Sequence, residues 1–177
     1  MNSKLILALL AVLSVPACGD PNAVGEPTAY INADFGFRVA YPSNWDASVD
    51  PLKLVGTQPD RLHAVAFVSQ PGQTAFVVFV QQLDGQAALA DFSARQLAGI
   101  RSTADDASFS GLTPTQIGGV DALTTQTRVD QDGQALTQRV VLAVKGRRGY
   151  AISLTAPANS PLHATLDDML ASFVFLP

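Results

Sequence analysis

Few side chains in this sequence have both the type and the spacing for chemistry. His63 and His163 are the only imidazoles and Cys18 the only thiol. A metal site needs several converging His, Cys or carboxylate ligands. His63 falls in an expected strand and His163 in the first turn of an expected helix, where a cation would oppose the dipole, so neither reads as a ligand and no metal is expected. Asp130-Gln131-Asp132-Gly133 has the spacing that opens a calcium loop, but the closing position of such a loop takes a bidentate Glu and Val141 stands there. It reads as a hairpin turn. Serine catalysis would be signalled by Gly-x-Ser-x-Gly, whereas Phe109-Ser110-Gly111 lacks the leading glycine. No dinucleotide or phosphate loop occurs. No catalytic residue and no cofactor is assigned, and an enzyme is not expected. Arg147 and Arg148, in the turn Gly146-Arg147-Arg148-Gly149, are the one basic cluster; it reads as a solvated turn, with contact to lipid headgroups or an acidic protein surface as the alternative.

The elements that would position these groups begin with composition. At 177 residues, 47% hydrophobic and 15% charged, the chain can bury the core of one domain and is too apolar for disorder. Eleven basic residues face 15 acidic ones, and losing Lys4 with a leader brings the balance to −5, which argues against a nucleic-acid partner.

Residues 1–17 read as a signal peptide, with Lys4, an apolar run from Leu5 to Val15 and small residues before Cys18. That run is about half the roughly 20 residues that a spanning helix needs. Val15-Pro16-Ala17-Cys18 resembles the lipobox of bacterial lipoproteins, which implies cleavage before Cys18 and acylation of that cysteine. Val15 and Pro16 depart from the usual Leu and small residue, and an ordinary cleavage site that releases a soluble protein is the alternative. Two or three acyl chains hold stably where one is marginal. Gly19, where lipoproteins retained in an inner membrane carry Asp, implies an outer membrane in a Gram-negative host. Residues 18–34 read as the lipidated cysteine and a flexible tether, with Gly19, Pro21, Gly25 and Pro27.

The domain is expected over 35–177. Phe35 to Trp45, FGFRVAYPSNW, starts with a strand whose Phe35, Phe37, Val39 and Tyr41 share one face, and Pro42 ends its pairing. Residues 46–58 read as an irregular connection with at most a short strand. Leu62–Ser69 and the apolar run Ala75–Leu83 form a hairpin, the second strand covered on both faces. Residues 86–102 become helical through Leu89, Phe92, Leu97 and Ile100. Val120–Val129, Ala135–Lys145 and Tyr150–Thr155 alternate as a three-strand meander. Ser160-Pro161 opens a last helix carrying Leu162, Leu166, Met169, Leu170 and Phe173, and the chain ends apolar. The order implies an α+β fold, an antiparallel sheet with helices packed on it.

The strand ending in Tyr41-Pro42-Ser43-Asn44-Trp45, the mid-chain amphipathic helix, the meander starting near Ile117-Gly118-Gly119 and the terminal helix running into Ser172-Phe173 resemble the PsbP-like superfamily, which includes the PsbP, Mog1, DcrB and LpqN kinds of protein. The resemblance covers about Phe35 to Phe175. It implies an α/β/α sandwich and a protein that binds or assists other proteins, and it supplies no catalytic residues. Trp45 is expected in the core; in a second reading Tyr41 and Trp45 belong to an exposed recognition patch, and Arg147 and Arg148 are separate candidates for partner contact. The expectation is therefore a lipoprotein anchored through Cys18 and facing the periplasm or exterior, acting as an accessory module for an envelope protein partner. The alternative is an envelope hydrolase or small-ligand binder with a pocket between helix and sheet, holding His63 or His163 beside a carboxylate or serine.

Overall fold

The computed structural model describes residues 22–49, 62–69, 73–101, 109–131 and 133–177. In chain order the elements are β1 (Pro27–Asn32), β2 (Phe37–Pro42), β3 (Asp46–Val49), β4 (Leu62–Val68), β5 (Ala75–Gln82), α1 (Leu89–Arg101), β6 (Thr113–Ile117), β7 (Val120–Gln131), β8 (Gln134–Lys145), β9 (Arg148–Pro157), α2 (His163–Ala171) and β10 (Val174–Phe175). Seven strands form one antiparallel sheet in the order β3-β4-β5-β9-β8-β7-β6, and three form a smaller one in the order β1-β2-β10.

Both faces of the large sheet are covered, which is why its central strands are apolar without a break. On one face Val65, Phe67, Phe76, Val78, Val80 and Ile152 meet the small sheet and α2 through Phe37, Val39, Leu166, Met169 and Phe173. On the other, Ala66, Val77, Phe79, Val140 and Leu142 meet α1 through Phe92 and Ile100. The molecule is thus the expected α+β sandwich, with the small sheet sharing a layer with α2. Phe92 sits over Gly149, where a Cβ would collide with the edge of its ring at Cε2 and Cζ, so this crossing requires glycine. Gly36 turns at φ 66° with the Arg148 guanidinium against it, a position that strains any side chain.

Four expectations are corrected. The tether expected over 18–34 is shorter, because Pro27–Asn32 pairs with Pro42–Phe37 along its whole length and Tyr30 packs on Phe37 and Phe67. Thr113–Ile117 is an additional strand; it tolerates Pro114 because it lies at the sheet edge. The tip between β8 and β9 is only Gly146-Arg147, since Arg148 already pairs with Lys145. The last helix starts later than Ser160-Pro161. Ser160 Oγ does accept the Leu162 N–H at 3.2 Å, but the first bonds are tight i→i+3 contacts, and the α-helical bond Leu166 N–H to Leu162 O follows. Residues 1–21, 50–61, 70–72, 102–108 and 132 lie outside the described residues, and with them the leader, Cys18, most of the 46–58 connection and the expected turn at Pro71-Gly72.

Candidate functional site

A polar concavity lies where α2 stops covering the large sheet. Leu166 and Met169 are the buried stripe of α2, continued by Leu162 just before it, which leaves His163 and Asp167 lining the cleft beside them. There Thr137 and Arg139 share the face of β8 that carries Val141, and Leu154 of β9 and Gln126 of β7 complete the lining. The cleft measures about 60 Å³, room for about two waters at roughly 30 Å³ each. Ligand pockets run to roughly 300–1,000 Å³.

Its charges are already matched. Arg139 donates to the Asp167 carboxylate. His163 Nε2 lies 3.0 Å from the Pro157 carbonyl, which can only accept, so this nitrogen carries the proton. No serine lines the cleft. Histidine and carboxylate do meet between helix and sheet, as the alternative reading asks, but without a nucleophile and with the carboxylate bound to arginine.

His63 is elsewhere, buried at one end of β4. Its ring stacks on Phe35, centroids 4.1 Å apart and 9° from parallel. Asn32 Oδ1 accepts the Phe35 N–H at 3.0 Å, which fixes the amide so that Nδ2 is turned to the Tyr30 hydroxyl and to His63 Nε2, at 3.2 and 3.1 Å. His63 Nε2 is therefore an acceptor here. No local pattern points to this cluster, because Tyr30 and Asn32 lie in the segment that reads as tether. Among the described residues no three His, Cys, Asp or Glu converge as a metal site.

The four residues singled out for partner binding do not form one patch. Trp45 is 4% exposed and belongs to the larger core, so the recognition role weighed for it is corrected. Folding back after Pro42, with its N–H on the Pro42 carbonyl, buries the indole. Tyr41 is half-buried with its ring 4.6 Å from that of Phe67. Arg147 is exposed at the β8–β9 tip and donates to the Asp84 carbonyl at 3.3 Å. Arg148 is half-buried beside Gly36 and the Tyr150 hydroxyl. Burial pushes the Tyr150 phenol up, and the Arg148 hydrogen bond and charge pull against it. Tyr41 stands near the far end of β2 from Gly36, about 16 Å away at roughly 3.3 Å per residue.

No family model matches the sequence, and no curated protein does. Solved structures do match. Cyanobacterial PsbP (CyanoP) from Synechocystis sp. PCC 6803 superposes with a TM-score of 0.61 at 14% identity, over 91% of this chain and 98% of that one. The chain has a PsbP-like fold. LpqN of Mycobacterium tuberculosis, a protein involved in cell envelope biogenesis, superposes on it with a TM-score of 0.50 at 14% identity, over 90% of this chain and 88% of that one. A Bacteroides thetaiotaomicron protein gives 0.58 at 14% identity over 88% of the chain, which spans half the length of that protein. At these identities the PsbP-like likeness concerns the path of the backbone. Among the described residues no helix is long and apolar enough to cross a membrane.

Proposed function

We propose that the protein is a membrane-anchored extracytoplasmic lipoprotein that serves as a non-catalytic binding or accessory module for an envelope protein complex. The observation that carries this reading is the PsbP-like fold, shared over about nine-tenths of the chain with LpqN, a protein of cell envelope biogenesis. The leader and Cys18 supply the anchor, which confines the domain beside its partner and raises its effective concentration there. The small, internally paired cleft under α2 favours this over the hydrolase or ligand-binding reading. The partner contacts then come from the surface, to which Arg147 is exposed and Tyr41 half-exposed.

The test is a cross-linking pull-down from intact envelopes with the native leader and with Cys18→Ser, alongside the intact mass of the mature protein. An acylated mass and a co-purifying protein that disappears in Cys18→Ser is the expected result. An unmodified mass, or an acylated protein that brings down nothing, overturns the reading.

A further inference from the structure

We propose that the outer face of the three-stranded sheet rests on the headgroup layer of the membrane that holds Cys18. This rests on the anchored reading above and specifies which surface the anchor brings to the bilayer. Alternation defines the face. Phe37, Val39 and Phe175 point into the core, so Arg38, Ala40 and Val174 point outward, and on β1 the inward Tyr30 leaves Ala29 and Ile31 outward.

Covalent reach keeps the edge of this face close to the membrane. From Cys18 to Asn22 there are four residue steps, at most about 14 Å at roughly 3.6 Å per residue. The next residues cannot lengthen that reach, because they are fastened to the β2–β3 turn. Asn44 Nδ2 donates to the Ala23 carbonyl at 3.0 Å, Gly25 N–H donates to Asn44 Oδ1 at 2.7 Å, and Ser43 N–H donates to the Glu26 carbonyl at 2.9 Å. β1 follows directly, so the start of the small sheet lies a short reach from the anchor.

The chemistry of the face agrees. Val24 and Ile31, at 52% and 63%, are the exposed large apolar residues among those described, and both lie on this N-terminal segment. Ile31, Arg38 and Val174 stand in one cross-strand row, an exposed cation between two apolar side chains. That arrangement suits a phosphate layer with acyl chains beneath it. The face carries no carboxylate; Glu26 and Asp34 lie beyond its two ends. On the far side of the large sheet, α1 is turned from the bilayer and left open to a protein partner.

The acylation of Cys18, the single cysteine, allows a direct test with the full mature lipoprotein. Ile31→Cys and Ala94→Cys, the latter on the exposed side of α1, each add one free thiol for a fluorophore. The labelled proteins are reconstituted into phosphatidylcholine–phosphatidylglycerol vesicles containing a headgroup spin-labelled lipid. Two intervening layers place the labels about 20 Å apart in depth, so quenching at 31 is expected to exceed that at 94 by about two-fold or more. Arg38→Glu should reduce quenching at 31 in these vesicles. Equal quenching, or more at 94, overturns the docking while leaving the anchor intact. A mature mass without acyl chains overturns the anchored reading itself, and the docking with it.

Discussion

The Tyr150 hydroxyl donates a hydrogen bond to the Phe35 carbonyl, 2.8 Å away and 115 residues distant in the chain. It joins the centre of the large sheet to the β1–β2 turn of the small one, whose Phe35 in turn covers His63. Tyr150→Phe keeps the ring and leaves that carbonyl without its partner. The expected loss is about 1 kcal/mol in urea unfolding; an unchanged midpoint would show that the bond contributes nothing net.

Titration of the same phenol makes a second prediction. A pKa raised by burial means that the unfolded chain releases this proton first, so stability is full below pH about 10 and falls as pH rises past it. Tyr150→Phe should flatten that decline. Parallel curves for the two proteins between neutral and strongly alkaline pH would contradict it.

Trp45 fills core volume, yet its Nε1 is buried without a hydrogen-bond partner. Trp45→Ala is expected to cost about 3–5 kcal/mol. Trp45→Phe should cost far less, because the unsatisfied N–H leaves together with the lost contacts. Denaturant titrations of both variants check the order, and similar losses would mean that the indole N–H is satisfied in solution.

Gly149 and Phe92 should couple. Gly149→Ala drives a methyl group into the Phe92 ring and is expected to destabilise by about 1–3 kcal/mol. In a Phe92→Leu background the same change should cost less than half as much. A double-mutant cycle reads this directly, and simple additivity would argue that the helix moves aside instead.

The ion pair at the cleft should matter little. The Arg139 and Asp167 side chains are 33% and 58% exposed, so Asp167→Asn is expected to change stability by less than about 1 kcal/mol. Partner capture by the anchored protein should be unaffected. A variant that folds but loses the partner would move the binding surface to this cleft.

Much of the fold was legible from local pattern. The apolar run of Ala75–Leu83, the alternation before and after Asp130-Gln131-Asp132-Gly133 and the stripe of Phe92, Leu97 and Ile100 each announce an element, because burial on one or two faces dictates their period. Pro27–Asn32 and Thr113–Ile117 did not announce themselves. Both are edge strands with proline and few large apolar residues, each held on one side only by the strand that follows it. Of the site, the exposure of Arg147 followed from its turn; the pairing of Arg139 with Asp167 did not, since a strand and a helix must meet to make it.

The sequence by itself determined the leader-like start, the single thiol at Cys18, the alternating strands and the two amphipathic helices, all of which depend on residues near one another in the chain. Tertiary structure decided that Trp45 is core, that His63 is enclosed by Asn32 and Phe35, and that Ile31 and Arg38 share an outward face. Those outcomes depend on which strands become neighbours. That choice is made by the summed burial of two cores on opposite faces of one sheet, a quantity no local window contains.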